Sequence, residues 1–428
     1  MQDWISYYNA LSKFIEIHDK ERRFEFRGNL LSRFERLRDS LRRSFVLSEV
    51  GDELRVAKIW LRKFKKMMLE TKEKLRAEGA EYPKELKSFI SDPEAHLMKK
   101  ITFYLYDLLR EKMSTEEFVR TAGAAVRTSL KTNMRSLYQN WVYLAILSHL
   151  ADMGGILVYP EVKVILLGRS GKQKTGTIPP NAIINLLGKG FLSFFLEAPR
   201  PISWEDSLDL KRIWTLYVTL RPDVLVYGGK VLNIVQLDSD PPIKRPDAII
   251  ECKELEDWYK RIRDVRGPFA KPLSVEEWRS KWINGLWEGL AEAMGVEKKK
   301  VIQDVKKKKS VRMKDFKIVM LYRSIFKPKK MFLISRKKVP DDIKSELENK
   351  DIIVYDDINF DKRRLKQVAE ELYKLAKRGK NDGDLIEIDP YTSLLLEKLE
   401  AELGMNRKTL LRKIIEFAYT RKKELIAQ

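Results

Sequence analysis

Two short apolar runs in the middle of the chain bring acidic and basic residues to positions where they could do chemistry. The segment from Arg221 to Glu254 reads RPDVLVYGGKVLNIVQLDSDPPIKRPDAIIECKE. Within it Val224–Tyr227 and Ala248–Cys252 are each preceded by Arg-Pro-Asp, and the second run closes on Glu251, Cys252 and Lys253. β-Branched and aliphatic runs of this length between turn residues predict buried strands. Strand side chains alternate faces, so Glu251 and Lys253 share one face about 7 Å apart, at ~3.3 Å per residue. Cys252 then points to the opposite face, into the core. A carboxylate and an ammonium on an otherwise apolar strand are costly to bury unless they pair or bind a metal.

An Asp at the head of one strand followed by Glu-x-Lys on the next resembles the active site of the PD-(D/E)xK nuclease superfamily. That resemblance implies a restriction-endonuclease-like mixed sheet and metal-dependent phosphodiester hydrolysis. Position by position it assigns Asp223 as the metal-binding Asp, Glu251 as the second acidic ligand and Lys253 as the catalytic lysine; in the mechanism expected on that basis, the Cys252 carbonyl joins the two acids in holding the metal. The implied metal is Mg²⁺, for which Mn²⁺ can substitute. Hard carboxylate oxygens hold such an ion, which polarises a phosphate and lowers the pKa of a bound water. The lysine can orient that water or offset charge developing on the phosphate. Asp247 is a rival first ligand, since it too stands in Arg-Pro-Asp. Four residues along one strand put it roughly 13 Å from Glu251, too far to share one ion. Asp223, on another strand, can be brought alongside by sheet pairing, leaving Asp247 as an outer partner or a DNA contact.

The elements that must position these residues follow from periodicity. Residues 1–130 read as a helical domain, with apolar residues such as Val56, Ile59, Trp60, Phe64 and Met67 at helical intervals. Breaks fall near Gly51, around Gly79–Pro83 and at Ser91–Pro93. Ser114 and Glu117 form a helix-start signature. Met134–Met153 predicts an amphipathic helix, Ile156–Leu167 a strand or hairpin arm, and residues 168–190 a mobile basic loop. Trp204–Leu220 reads as helix turning into strand. Relatives of the resembled family often carry an acid on the helix before the strands. This chain has Gln139 there, with Glu161 as a substitute candidate. Beyond Lys253 the sequence predicts a helix over Ser274–Met294 and a lysine-rich stretch over 297–317. Strand-like runs follow at Ile318–Tyr322 and Met331–Ser335, then a helix at Asp341–Asn349 and a strand at Ile352–Tyr355. The nuclease-like domain is thus assigned to residues 131–376, and the fold class is α/β (α+β).

Residues 377–384 read as a linker and 385–428 as a compact terminal unit: strand Leu385–Ile388, helix Pro390–Leu403 and helix Lys408–Lys423. That pattern resembles a ribbon-helix-helix domain, which implies a homodimer formed through the strand, with Asn406, Arg407, Lys408 and Thr409 anchoring DNA phosphates at a helix start. Glu387 on the groove-facing side is unfavourable near phosphates, so dimerisation without base reading is the companion expectation.

Composition narrows the classes. The 428 residues carry a formal charge of +22, with 44% hydrophobic residues and a pI near 9.6, enough apolar content for packed domains and enough positive charge to attract nucleic acid. One cysteine excludes an internal disulfide. His18, His96 and His149 show no metal-ligand spacing, which argues against zinc hydrolases and histidine triads. No run approaches the ~20 apolar residues of a membrane span, and no signal peptide is evident, so a cytoplasmic protein is expected. The resulting expectation is a Mg²⁺-dependent DNA endonuclease. The competing reading is a noncatalytic dimeric DNA-binding regulator with a decayed nuclease core, and RNA is not excluded as the polymer.

Overall fold

The computed structural model describes residues 3–170, 177–198, 221–236, 243–265, 281–308, 311–379 and 390–421. Trp204–Leu220, the strand Leu385–Ile388 and the start of the Ser274–Met294 helix lie outside those residues, as do parts of the expected basic loop and linker. The chain divides into two compact units, Met1–Asp382 and Gly383–Gln428.

The first unit begins with helices α1 (Asp3–His18) and α2 (Gly28–Lys74), the latter kinked where Val50 leaves helical geometry beside Gly51. A short strand, β1 (Gly79–Glu81), precedes helices α3 (Lys84–Ser91), α4 (Pro93–Lys100) and α5 (Thr102–Leu109). Helix α6 (Thr115–Asp152) starts at a complete capping box, in which the Ser114 hydroxyl accepts from the Glu117 N–H at 3.2 Å. Every residue from Leu137 to Leu150 is buried, because this half of α6 lies between α2 and strands β2 and β7 of the sheet. A helix covered on several sides tolerates little polarity on any face.

The sheet has seven strands in the order β2-β4-β5-β6-β7-β10-β11. These are β2 (Gly155–Tyr159), β4 (Ala182–Leu186), β5 (Gly190–Leu196), β6 (Val224–Gly228), β7 (Ala248–Lys253), β10 (Lys330–Ser335) and β11 (Ile352–Tyr355). Pairing is antiparallel from β2 to β7 and parallel from β7 through β10 to β11. Parallel neighbours need crossovers, and the chain supplies helices between them. Helices α7 (Lys281–Met294), α8 (Lys298–Lys308) and α9 (Asp315–Phe326) lie between β7 and β10, and α10 (Asp341–Glu348) lies between β10 and β11. Val226, Ile250 and Cys252 join the α6-side core, while Leu225, Tyr227 and Ile249 join the core formed with Trp258, Trp287 and Phe316. Both faces are covered, so β6 and β7 are buried at every position. Each large core side chain contributes about 1.5–3 kcal/mol.

Three expectations are corrected. Ile318–Tyr322 is the middle of helix α9, not a strand. Both conformations present a short run of buried aliphatics, and periodicity alone does not separate them. Ile156–Leu167 is not one arm: β2 joins the large sheet, whereas β3 (Val164–Leu166) pairs in parallel with β1. Within the stretch read as a basic loop, Ala182–Leu186 is a fully buried strand. The remaining strands, β8 (Ile262–Val265) and β9 (Val311–Lys314), form an antiparallel ribbon ahead of α9. A final helix, α11 (Lys366–Tyr373), packs on α6.

In the second unit, α12 (Pro390–Leu403) and α13 (Arg407–Thr420) form a helical hairpin. Asn406 caps α13 through its side chain, which accepts from the Thr409 N–H at 3.0 Å. Leu396 and Leu410 are buried, whereas Leu394, Leu395, Ile414, Ile415 and Phe417 are exposed.

Candidate active site

The antiparallel pairing of β6 and β7 sets the head of one beside the tail of the other. The last ladder pair is Val224 with Ile250, so Asp223 stands one step before β6 where β7 runs on through Glu251, Cys252 and Lys253. The Cys252 N–H donates to Asp223 Oδ2 at 2.7 Å, and the Asp223 N–H donates to Glu251 Oε2 at 3.3 Å. Lys253 Nζ donates to Glu251 Oε1 at 2.9 Å and to Asp315 Oδ1 at 3.4 Å. The structure therefore brings Asp223, Glu251 and Lys253 together on one face. Cys252 sits in the α6-side core, on the other face.

Beyond Glu251, the partners of Lys253 are residues that sequence reasoning missed. Asp315 opens α9 and is 1% exposed. Arg263, from β8, grips its carboxylate through Nε at 2.8 Å and Nη2 at 3.3 Å. The Lys253 ammonium also lies 5.3 Å from the Trp258 ring centre, a cation–π arrangement. Burial pulls the Lys253 pKa down, but the charges of Glu251 and Asp315 outweigh it and raise it above the ordinary lysine value. Lys253 is held as a cation. For Asp223, burial and then the Glu251 charge act in the same direction, pushing its carboxyl well above the usual range. Reading Ile318–Tyr322 as a strand hid Asp315, because an acid at the first helical position is a helix-start signal. Arg261-Ile-Arg263 offered only a two-residue alternation.

Five arginines surround this centre. Arg135 comes from α6, Arg169 from the turn after β3, Arg221 from the approach to β6, and Arg261 and Arg263 from β8 and the residue before it. They line a cavity of about 90 Å³ together with Asp223, Glu251, Lys253, Glu197 and Tyr322. That space suits an ion and a few waters rather than an organic cofactor. Arg221 is depressed by burial and then by the neighbouring charge of Arg169. Crowded guanidinium groups of this kind are relieved by an anion.

A divalent cation fits the oxygens present at the low end of coordination. Among the described residues no group of three or more His, Cys, Asp or Glu side chains is set to hold a metal. Two carboxylates, Asp223 and Glu251, do adjoin. The ladder bonds from Lys330 N to Asp247 O and from Arg336 N to Lys253 O turn the odd-numbered carbonyls of β7 toward β10. The even-numbered Cys252 thus directs its N–H and C=O to the β6 edge, beyond the point where β6 ends. Its carbonyl is a third oxygen on the same side as Asp223.

The other candidates lie elsewhere. Asp247, at the opposite end of β7, accepts from the Gly228 N–H at 2.8 Å and from Lys377 and Lys329 at 2.6 and 2.9 Å. Gln139 is buried on α6 and its Nε2 donates to the Asp223 carbonyl at 3.4 Å, so its place is beside the acid pair. Glu161 is exposed in the turn between β2 and β3. Glu197 reaches the site instead: its N–H donates to the Asp223 carbonyl at 2.9 Å and its carboxylate pairs with Arg169. Asn406, Arg407 and Thr409 start α13 in the second unit, where Arg407 pairs with Glu400 at 3.0 Å. Lys408 belongs to the same turn. No helix among the described residues is long and apolar enough to cross a membrane. No family model, curated protein or solved structure matches this chain.

Proposed function

We propose that the protein is a Mg²⁺-dependent nuclease that hydrolyses phosphodiester bonds in DNA. The observation that carries this reading is the meeting of Asp223, Glu251 and Lys253 on one strand edge inside a ring of arginines. The mixed sheet supports it, antiparallel from β5 through β6 to β7 and parallel from β7 to β10, as the PD-(D/E)xK resemblance implies.

Asp223, Glu251 and the Cys252 carbonyl would hold the cation, whose chemistry there is to neutralise charge and polarise a phosphate oxygen. The protein's own groups account for the rest. Arg135, Arg169 and Arg221 attract and orient the phosphate, as guanidinium groups do. Lys253, kept cationic by Glu251 and Asp315, stabilises charge as it develops on the phosphate oxygens. A water oxygen bonds to phosphorus, the bond to the leaving sugar oxygen breaks, the attacking water gives its proton to solvent, and the leaving oxygen takes one from solvent to become a hydroxyl. The exposed apolar side chains of α12 and α13 favour a homodimer through the second unit, with Asn406, Arg407, Lys408 and Thr409 as its DNA-anchoring turn.

The second reading, a noncatalytic DNA-binding dimer, is favoured by Gln139, which stands where an acid would complete the ligand set. Incubating single- and double-stranded circular DNA, with and without Mg²⁺, separates the two. Metal-dependent cutting lost in Lys253→Ala establishes the nuclease. Intact circles with shifted mobility establish the regulator, and a parallel RNA substrate identifies the polymer.

A further inference from the structure

On the side of Arg135 and Arg169 the catalytic pocket adjoins a groove with a cavity volume of about 1140 Å³. That exceeds the roughly 300–1,000 Å³ of a typical small-molecule site. The groove and the catalytic pocket share Arg135, Arg169 and Glu197 as lining residues, so the groove adjoins the hollow that holds the acid pair. One wall is the face of α6 bearing Thr128, Thr132 and Ser136 at four-residue spacing, where small side chains leave the hollow open. Other walls carry three half-buried tyrosines, Tyr82, Tyr104 and Tyr159. Asn140, 5% exposed, also lines the groove. Its Nδ2 donates to the Ser136 carbonyl at 2.9 Å, while its buried Oδ1 has no partner among the described residues.

The charges say how the groove grips. Lys100 pairs with Glu85 at 2.6 Å, and Arg169 pairs with Glu197. This is not a polycation channel like those that track a duplex backbone. Tyrosine side chains and hydroxyls suit nucleobases, with the phosphate-attracting arginines placed only at the catalytic end. A duplex shows its bases as edges in its grooves. The flat faces that stack on tyrosine are open only in an unpaired strand.

We propose that the groove along α6 seats an unpaired DNA strand and feeds its phosphate to Asp223 and Glu251, so that the substrate class is single-stranded DNA or an unpaired flap. The proposal rests on the nuclease reading but is tested without cleavage. Fluorescence anisotropy in EDTA would compare the full chain, Thr132→Trp and the pair Tyr82→Ala/Tyr104→Ala. The probes are an unpaired oligonucleotide of about 16 nucleotides and a blunt duplex of the same sequence. Thr132 is exposed on α6, so its tryptophan fills the groove rather than the core. Thr132→Trp should weaken unpaired-strand binding roughly tenfold and the tyrosine pair roughly 100-fold, about tenfold per lost stacking contact, and both should leave duplex binding unchanged. Equal weakening of both probes, or of neither, overturns the groove assignment. If Thr132→Trp fails to fold, the tyrosine pair decides. A protein that binds as expected yet never cuts with Mg²⁺ keeps the groove and loses the nuclease, so the two failures are distinct.

Discussion

The backbone N–H of Cys252 donates to the side chain of Asp223 at 2.7 Å. This bond replaces the next rung of a ladder whose last pair is Val224 with Ile250. One carboxylate oxygen thus closes the β6–β7 edge, and the carboxyl is held beside Glu251. The same contact places a group that resists ionisation, through burial and a like charge, where a cation would reverse that resistance.

Asp223→Asn should therefore separate function from stability. Cleavage should fall by more than about 100-fold, beyond the loss typical of an outer-shell partner. The amide keeps an acceptor for the Cys252 N–H and removes a carboxyl that resists charging. In metal-free buffer at neutral pH the variant should be more stable by about 0.5–2 kcal/mol. Circular-DNA cutting and thermal melting in EDTA test the two halves. A variant that cuts normally would move the first ligand away from Asp223.

On the nuclease reading, Asp315 would act through Lys253, which it contacts at 3.4 Å, as a positioning residue. Asp315→Asn leaves Lys253 with Glu251 alone and loosens Arg263, which holds both Asp315 oxygens. The turnover rate should drop about 10–100-fold, while affinity for DNA in EDTA stays near the wild-type value. A loss confined to affinity would assign Asp315 to substrate binding instead.

The two strands and their spacing were legible because β6 and β7 are buried on both faces and so read as continuous apolar runs. Alternation within β7 sufficed to put Glu251 and Lys253 on one face and Cys252 on the other. Asp315 and Arg263 were not legible, since they reach Lys253 only through the crossover that folds β8, β9 and α9 back over the sheet. Nor was β4: the turn residues of 168–190 dominated that stretch, and its five apolar-to-polar positions Ala182–Leu186 lack alternation because both faces are covered. Asp223 and Asp247 share the same tripeptide context, and the distance along β7 from Asp247 to Glu251 is what tells them apart.

Glu70 of α2 ties the N-terminal helices to the turn after β11, accepting from Lys362 at 2.7 Å and Lys74 at 2.9 Å. Burial pushes its carboxyl up, but the two lysine hydrogen bonds prevail and hold its pKa at about 2, below the ordinary glutamate value of 4.5. A depressed acid stabilises the fold above its unfolded pKa and loses that contribution as pH falls through the folded value. Glu70→Gln should lower stability by about 1 kcal/mol at neutral pH, a figure kept small because the site is partly hydrated. The difference from wild type should shrink as pH drops from 4.5 toward 2. Melting curves of both proteins across that interval check the sign, and a gap that widens in acid refutes it.

Asp247 stabilises the end of β7 remote from the chemistry. Its carboxylate joins the Gly228 N–H to Lys329 and Lys377, and Lys377 in turn bridges to Phe191 of β5. The returning chain lies so close that a Cβ at Gly228 would stand 2.1 Å from the Leu375 carbonyl oxygen. Asp247→Asn should cost about 1–2 kcal/mol through weakened charged hydrogen bonds, and Gly228→Ala about 1–3 kcal/mol through overpacking. Neither should change the cleavage rate per folded molecule by more than a few-fold, because both residues lie at the end of the β6–β7 pair opposite to Asp223 and Glu251. Active-site titration alongside denaturant melts would separate folded fraction from turnover. A turnover collapse in Asp247→Asn at full folding would return Asp247 to the list of metal ligands.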